Sequence, residues 1–407
     1  MLTALEKGVK GGCWFSLMDK VYSPRNLEAA FNAVRRNRGS AGVDHQTVEA
    51  FDQRREGHLL RLHEALKQAQ YVPQAVKRTW IPKPGSSEKR PLGIPTVRDR
   101  VVQTALRNVL EPIFERTFAE HSYGFRPERS CKDALRRVWN LLRGGYHYVV
   151  DADLKSYFDT IPHERLMARV EEQVSDGRVL DLLRAYLNQD VMEGTARWSP
   201  EGGTPQGAVI SPLLSNIYLN PLDHLMAGRG VEMVRYADDF VLLCRTREDA
   251  EQALREVQQW VEHNGLTLHP DKTRIVDARE RGGFDFLGYH FERGMKWPRR
   301  KSLDKLRDVV RAKTQRANGN SLDHIVEQLN PILRGWFEYF KHSHKYTFTG
   351  VDKWVRMRLR SILRKRSHRT GRGRGADHQR WPNIYFSDLG LFSLQTAHDA
   401  ARQSSGR

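Results

Sequence analysis

The stretch Met233-Val-Arg-Tyr-Ala-Asp-Asp-Phe-Val-Leu-Leu-Cys244 carries two adjacent aspartates, Asp238 and Asp239, between two short apolar runs. Short runs rich in Val, Tyr, Phe and Leu are typical of β-strands, and polar residues between them are typical of a tight turn. We therefore predict a β-hairpin with its acids at the turn. A buried strand does not tolerate unpaired carboxylates, so these aspartates are candidate functional residues.

A second predicted strand covers residues 146–154 and carries Asp153 near its end, 85 residues before Asp238. Aspartates on neighbouring strands can hold a pair of Mg²⁺ ions, which neutralise a triphosphate and polarise a 3′ hydroxyl during nucleotidyl transfer. Carboxylates placed so closely would repel one another without a cation, which favours a site for hard metal ions. Helical periodicity between the two strands, as in residues 164–187, indicates an α+β or α/β catalytic unit.

The composition indicates a large basic protein. With 407 residues the chain exceeds the usual size of one hydrophobic core, so we expect two or three packed units. Its 67 Lys and Arg outnumber 49 Asp and Glu, and the net charge of +18 favours a nucleic-acid partner over a merely soluble basic protein. The widely spaced cysteines fit neither a zinc site nor a disulfide framework. No apolar stretch reaches the roughly 20 residues of a membrane span, so we expect a protein of the reducing bacterial cytosol.

The segments on either side of these strands have their own patterns. Apolar residues at helical spacing predict a helix over residues 26–36, and repeated prolines between residues 71 and 100 predict short extended runs instead of a helix. Helical periodicity returns over residues 101–118.

After about residue 297 the pattern becomes helical, with amphipathic segments over residues 303–317 and 322–340. We therefore predict a domain boundary near Pro298. Residues 351–375 hold ten Lys and Arg against the single acid Asp352, which favours an RNA contact over a solvated basic face.

Tyr236-Ala-Asp-Asp239 on a strand-turn-strand, preceded by a strand that carries Asp153 near its end, resembles the palm of reverse transcriptases. The resemblance implies that Asp153 and Asp238 bind two Mg²⁺ ions directly, that Mn²⁺ can substitute, and that Asp239 is a supporting third carboxylate. It also implies that Leu154 offers its backbone carbonyl to the second metal.

Further blocks that resemble this family follow in the family's order along the chain. They are Arg90-Pro-Leu-Gly-Ile-Pro95, Asp99-Arg100, Ser122-Tyr-Gly-Phe-Arg-Pro127, Gly203-Thr-Pro-Gln-Gly207, Ser211-Pro-Leu-Leu214, Gly265-Leu-Thr-Leu268, Lys272-Thr273 and Phe284-Asp-Phe-Leu-Gly288. Leu329-Asn330 and Gly335-Trp-Phe-Glu-Tyr339 resemble the maturase-specific thumb, called domain X. The chain thus resembles the reverse transcriptase and maturase encoded within group II introns.

This resemblance implies an α+β right-hand polymerase, with fingers and a palm built on an antiparallel sheet, followed by an all-helical thumb. We assign residues 1–50 to an N-terminal extension, 51–297 to fingers and palm, 298–375 to the thumb, and 376–407 to a basic C-terminal appendage. The appendage is either a small packed segment or a DNA contact. No paired Cys and His follow Gly375, so we expect no endonuclease activity.

Several residues are candidates for the nucleotide site. Lys83 and Arg90, on two extended arms, are placed to bind the incoming triphosphate, and Gln206 is placed to touch the nascent base pair. Phe158 follows Asp153 by five residues, where a bulky ring would exclude a ribose 2′ hydroxyl and favour dNTP. Lys272 is a candidate general acid or phosphate ligand. The alternatives are solvated loops for Lys83, Arg90, Gln206 and Lys272, and a core aromatic for Phe158.

The basic residues predicted to contact RNA are Arg126, Arg364, Lys365, Arg366 and Arg369. His342 and His344 have no acidic or cysteine partners nearby in the sequence, so a metal site there is disfavoured. The aromatic residues between 336 and 340 lie at helical spacing and are expected to form thumb core.

The leading hypothesis is an RNA-directed DNA polymerase that also binds group II intron RNA to assist splicing and mobility, through reverse splicing and target-primed cDNA synthesis. Its partners are then intron RNA, an RNA template with a DNA primer, target DNA and dNTP, with no membrane, and the sequence gives no oligomeric state. The alternatives are a domesticated reverse transcriptase in phage defence or DNA repair, a maturase without polymerase activity, and an RNA-dependent RNA polymerase. The intact aspartates disfavour the inactive maturase, and Phe158 disfavours the RNA-making enzyme.

Overall fold

The computed structural model describes residues 13–82, 89–200, 202–317, 319–373 and 375–405 of the chain. The chain divides into two compact units, Met1–Val276 and Asp277–Arg407. Cys13, Cys131 and Cys244 are free thiols. Within the described ranges, no helix combines the length and the apolar character needed to cross a bilayer.

The first unit contains both helices and strands. Its helices are α1 Met18–Val21, α2 Pro24–Asn37, α3 Val48–Gln53, α4 Arg55–Lys67, α5 Val97–Glu115, α6 Cys131–Arg143, α7 Tyr157–Thr160, α8 His163–Glu171, α9 Gly177–Leu187, α10 Ser211–Gly228 and α11 Arg247–His263. Its strands are β1 Val76–Pro82, β2 Lys89–Ile94, β3 Tyr148–Asp153, β4 Val191–Glu193, β5 Ala196–Trp198, β6 Glu232–Tyr236, β7 Asp239–Cys244 and β8 Arg274–Asp277.

The second unit begins with short strands and continues with helices. The strands are β9 Phe284–Phe286, β10 Tyr289–Glu292 and β11 Met295–Pro298. The helices are α12 Arg300–Lys313, α13 Leu322–Phe340, α14 Tyr346–Arg366, α15 Asp377–Arg380, α16 Asn383–Asp388 and α17 Leu394–Ser405.

The palm sheet, with strand order β6-β7-β3-β8, carries the predicted hairpin. β6 and β7 pair antiparallel with Tyr236 opposite Asp239, so Ala237 and Asp238 form the turn. Ala237 has a φ of 60°, the left-handed conformation that tight hairpin turns need at their first position. Both predicted strands are confirmed, and Asp239 begins β7 instead of lying in the turn.

The fingers sheet, with strand order β2-β1-β4-β5, contains the predicted extended runs. β1 and β2 form an antiparallel hairpin from the Lys77–Ile94 pair to the Pro82–Lys89 pair. β4 joins β1 in parallel, with Val76 opposite Val191. Two segments far apart in the sequence therefore share one sheet.

Several helices of the first unit begin where a side chain caps them. α2 buries the apolar residues that predicted it, and the Ser23 hydroxyl accepts a hydrogen bond from the Asn26 amide at its start. The predicted helical segment 164–187 is two helices, α8 and α9. It is interrupted because the Asp176 carboxylate accepts hydrogen bonds from the amides of Arg178 and Val179 and so begins a new helix.

The second unit starts at Asp277, earlier than the predicted boundary near Pro298. Its three-stranded sheet packs on α13, because the Tyr289 hydroxyl donates to the Tyr339 carbonyl at 2.6 Å and the Tyr289 ring lies 5.0 Å from that of Phe340. Residues 284–288 therefore pack in the same compact unit as the helices, and the helical segment that begins at Arg300 is preceded by a small sheet.

The C-terminal segment is part of the second unit's core. Trp381, Phe386 and Leu394 are buried together with residues of α13 and α14. The Asp352 carboxylate accepts hydrogen bonds from the Ser393 hydroxyl at 2.8 Å and from backbone amides at the start of α17. For the described residues after 375, the packed alternative therefore applies.

Candidate active site

The palm sheet brings the predicted catalytic aspartates together. Asp153 at the end of β3 lies opposite Asp239 at the start of β7, and residues directly opposite in an antiparallel pair project from the same face. Asp238 is the adjacent turn residue. The three carboxylates predicted from the sequence are therefore contributed by one end of one sheet.

Burial raises the pKa of the Asp238 carboxyl above its ordinary value, and the charge of Asp153 raises it further. Its own backbone amide, Arg90 and Arg235 partly offset this by lowering that pKa. Two carboxylates that repel each other are suited to bind a hard divalent cation. Mg²⁺ in proteins is commonly bound by one or two carboxylates together with substrate phosphates. Within the described residues, no group of three or more His, Cys, Asp or Glu side chains is arranged to hold a metal ion.

Lys272 contacts the Asp153 carboxylate directly. Its Nζ lies 2.5 Å from Oδ2 of Asp153, so the ammonium neutralises that carboxylate. The His269 amide donates to the Asp153 carbonyl at 2.7 Å, and Leu154 lies opposite Leu268 in an isolated bridge. The hydrogen bonds that flank this bridge engage the Asp153 carbonyl and the Lys155 amide rather than the carbonyl of Leu154.

A cavity of about 530 Å³ is lined by two predicted nucleotide-site residues, Phe158 and Gln206. The Phe158 ring is half-buried and meets the Tyr157 ring edge-on at 5.4 Å. The Thr204 amide donates to the Phe158 carbonyl at 2.6 Å. The Gln206 side-chain amide donates to the Asp159 carboxylate at 3.4 Å. The structure thus brings the ring and the loop to one cavity wall.

The loop that carries Gln206 is fixed by two glycines of the quoted blocks, Gly93 and Gly207, and by Gln103, which the sequence did not indicate. The Gly93 amide donates to the Gln206 carbonyl at 2.6 Å. The fully buried Gln103 accepts a hydrogen bond from the Val209 amide at 2.7 Å. A side chain at Gly207, whose φ is 105°, would begin 2.5 Å from the Gly93 carbonyl oxygen. A glutamine on the apolar face of α5 was the one available signal.

The fingers contribute an exposed surface of cation and aromatic rings. The Arg78 guanidinium lies 5.9 Å from the Trp80 ring and 5.6 Å from the Trp198 ring. Trp80 is 45% exposed and Trp198 is 39% exposed, although tryptophan usually buries most of its surface. Arg78 and Trp198 also line the cavity that contains Phe158. The sequence analysis missed this surface because its two strands are distant in the chain.

Of the two cations predicted to bind the triphosphate, Arg90 is exposed on β2, opposite Ile81. Its positive charge lowers the pKa of Asp238 and so partly offsets the effect of burial. Lys83 lies outside the described residues.

The structure reassigns two of the predicted RNA-binding residues. Arg126 is buried, and its guanidinium donates to the Glu115 carboxylate at 2.7 Å and to the Ala119 and Ser122 carbonyls, so it stabilises the fold and is not accessible to RNA. Arg364 donates to the buried Asp377 at 2.7 Å.

The other basic residues of this group remain accessible. Lys365, Arg366 and Arg369 are exposed at the end of α14 and just after it. Arg366 also donates to the backbone carbonyl of Asn320. These three residues keep the predicted RNA-binding role as an expectation.

Two family models match the chain. The model described as reverse transcriptase (RNA-dependent DNA polymerase) matches residues 81–291, just over half of the chain. The model described as group II intron, maturase-specific domain, matches residues 303–381. The first match covers the fingers and palm sheets, and the second covers most of the helices of the second unit.

Three relatives agree with these matches. Protein YkfC of Escherichia coli (strain K12) is 35% identical over 321 residues, 68% of this chain and 83% of that protein. The group II intron-encoded protein LtrA of Lactococcus lactis subsp. cremoris is 32% identical over 62% of this chain and 39% of LtrA. Nuclear intron maturase 4, mitochondrial, of Arabidopsis thaliana is 30% identical over 54% of this chain and 27% of that protein. The chain therefore belongs to the reverse transcriptases, the RNA-directed DNA polymerases, and among them to the maturase-bearing proteins of group II introns.

Proposed function

We propose that this chain extends a DNA primer on an RNA template with two Mg²⁺ ions held by Asp153 and Asp238, for which Mn²⁺ can substitute. The observation that carries the proposal is the electrostatic coupling of these two aspartates at one end of the palm sheet, with Asp239 directly opposite Asp153. Bound ions would neutralise the triphosphate and polarise the primer 3′ hydroxyl. The Leu154 carbonyl is the proposed additional oxygen ligand.

The neighbouring residues bind and orient the nucleotide. Arg90 supplies a guanidinium to the phosphates. Phe158 packs under the sugar, and Gln206 contacts the nascent base pair from the same cavity wall. The Lys272 ammonium is paired with the Asp153 carboxylate in this structure. When that carboxylate holds a cation instead, the ammonium would be free to bind the departing pyrophosphate.

The exposed rings of Trp80 and Trp198 are suited to the unpaired template ahead of the copied base. Aromatic side chains stack on single-stranded bases with about 1–3 kcal/mol per base, and an arginine between them adds phosphate or cation–π contacts. Trp198 and Arg78 line the cavity that contains Phe158, so a template entering there would reach the nucleotide site.

The second unit supplies the proposed contact to group II intron RNA. Its exposed cations Lys365, Arg366 and Arg369 lie close together in sequence at the end of a long helix. By binding intron RNA there, the chain would assist its splicing and its reverse splicing into target DNA. At the target DNA the chain would then synthesise cDNA from dNTP. We expect the chain to act in the bacterial cytosol, as its bacterial relatives suggest.

Metal binding should weaken as the pH falls, because the raised pKa of Asp238 lets a proton compete with the metal. An aspartate with an ordinary pKa is already ionised at pH values where Asp238 is still partly protonated. Protons therefore compete with the metal at Asp238 up to a higher pH than at an ordinary aspartate. Below that pKa, the Mg²⁺ concentration for half-maximal extension should rise about tenfold per pH unit.

The measurement is a Mg²⁺ titration of primer extension at several pH values, with direct Mn²⁺ binding as a second readout. Asp238→Asn is the control, since its amide cannot titrate and its residual Mn²⁺ binding should lose this pH dependence. A Mg²⁺ requirement that stays constant with pH would contradict the assignment of Asp238.

RNA binding should depend steeply on salt, because Lys and Arg release counterions from phosphates. Replacing Lys365, Arg366 and Arg369 by Gln should reduce the slope of log affinity against log salt by about 2 to 3. Arg364 is retained, because losing it would leave the buried Asp377 without its ion pair.

A matched control replaces three other exposed arginines, Arg136, Arg247 and Arg255. Each of these already bonds a side chain on its own helix. The control should leave the slope nearly unchanged. If both triple variants change the slope equally, the end of α14 has no special role and only net charge matters.

A further inference from the structure

A fully buried arginine lies two positions before the turn that carries Asp238. Arg235 is 0% exposed, and its Nε and Nη2 donate to the Asp223 carboxylate at 2.8 and 2.5 Å. Its Nη1 donates to the Asn216 side-chain oxygen at 2.9 Å and to the Ala237 carbonyl at 2.9 Å. The guanidinium thus connects α10 to the peptide group that joins Ala237 to Asp238.

A second set of contacts holds the same turn from the opposite side. The Asn216 side-chain amide donates to the Gly124 carbonyl at 2.8 Å. A Cβ at Gly124 would lie 2.2 Å from the Ala237 amide nitrogen, so only glycine allows this approach. The backbone of Arg235 also exchanges hydrogen bonds with His121 at 3.0 Å and Tyr123 at 2.8 Å. The turn is therefore enclosed between α10 and the loop around Gly124.

Stability alone does not explain a buried ion pair at this position. Removing two charges from water costs several kcal/mol per ion, and replacing such a pair by apolar side chains of similar volume is often neutral or stabilising. Ala237 also adopts a left-handed φ, which costs a non-glycine residue about 1–2 kcal/mol. Unlike an apolar side chain, the guanidinium makes directional hydrogen bonds, and one of them fixes the orientation of the Ala237 carbonyl.

We propose that Arg235, Asp223 and Asn216 are positioning residues that set the orientation of Asp238 for metal binding. Arg235 fixes the Ala237–Asp238 peptide, Asp223 fixes the plane of the guanidinium, and Asn216 links both to Gly124. All three side chains are buried, so they act through the turn. The inference rests on the proposed role of Asp238 as a metal ligand.

The test replaces the ion pair as a whole with Arg235→Met and Asp223→Leu in the full chain, so that no unpaired charge is left buried. We expect the unfolding midpoint to change by less than about 5 °C. The kcat for single-nucleotide incorporation should fall at least about tenfold, with the Kd for primer-template and the KM for dNTP within about twofold. Mn²⁺ affinity, measured without substrate by electron paramagnetic resonance, should weaken by a similar factor.

The matched control is Arg137→Met with Glu232→Leu, which removes a 2.5 Å pair between α6 and the start of β6 that does not touch the turn. Its kcat and Mn²⁺ affinity should stay within about threefold of the parent. If the double variant at Arg235 and Asp223 fails to fold, Asn216→Ala provides the test, because it keeps the ion pair and removes the link to Gly124. It should lower kcat and Mn²⁺ affinity without changing the KM for dNTP.

Two failures can be told apart. If Asp238→Ala retains extension and Mn²⁺ binding, the metal site itself is misassigned. If Asp238→Ala is inactive but the parent, the double variant and Asn216→Ala share the same kcat and Mn²⁺ affinity, only the positioning role is rejected. Equal losses in the Arg235 and Arg137 variants would reject it too, since they would indicate general loosening of the sheet.

Discussion

Primer extension by the Asp238→Ala protein should fall at least about a thousandfold, a loss of roughly 4 kcal/mol of transition-state stabilisation. The carboxylate lies in the turn beside Asp153, and alanine offers no oxygen to a metal ion. RNA affinity should be nearly unchanged, because the substitution removes a negative charge from the first unit and leaves the exposed cations of α14 intact. Extension of a DNA primer on an RNA template, with parallel RNA binding, measures both effects.

The control is Asp181→Ala, which removes an aspartate whose side chain is 78% exposed on α9. Extension by that variant should equal that of the parent. Retained extension by purified Asp238→Ala would end the metal assignment. A further readout uses stability: without metal, ionisation of Asp238 destabilises the fold as the pH rises through its raised pKa, so Asp238→Asn should unfold at a higher temperature than the parent.

The second large effect is expected at Phe158, whose ring lines the cavity shared with Gln206. A ring under the incoming sugar leaves no room for a 2′ oxygen, so it discriminates by a clash with the wrong substrate. In Phe158→Val or Phe158→Ala, the ratio of kcat/KM for dNTP to that for rNTP should fall at least about tenfold, or roughly 1.4 kcal/mol. Steady-state incorporation of single nucleotides on one primer and RNA template measures this ratio.

Phe118→Val is the matched control, since this buried ring lies outside the residues that line the cavity. Its rates with dNTP and rNTP should change together and leave the ratio constant. If the Phe158 variants behave in the same way, the ring is core packing, as its edge-on contact with Tyr157 also allows.

The sequence was sufficient for the elements that local pattern determines. The hairpin at Asp238 and the strand with Asp153 were predicted because short runs of Val, Tyr, Phe and Leu define strands and the polar residues between two such runs define a turn. The helix over residues 26–36 followed from apolar spacing alone. For these elements, residues close together in the sequence determine the local structure.

Features that depend on distant contacts were missed. The parallel pairing of β1 with β4 joins residues that no local pattern relates. From the sequence, Arg126 was predicted to be a cation that contacts RNA. In the structure it is buried, and it donates hydrogen bonds to the Glu115 carboxylate and to the Ala119 carbonyl. The division into compact units at Asp277 could not be predicted from the sequence, because it depends on the packing of Tyr289 on Tyr339 and Phe340.

Because β3 lies between β7 and β8 in the palm sheet, it leaves the ribosome long before either neighbour has been synthesised. At about 5–20 residues per second, the wait from residue 153 to residue 277 is on the order of ten seconds. Throughout it, an apolar strand presents unpaired backbone groups, which invite association between nascent chains. Fragments that stop before Arg274 would keep one edge of β3 open permanently, so they should accumulate as aggregates.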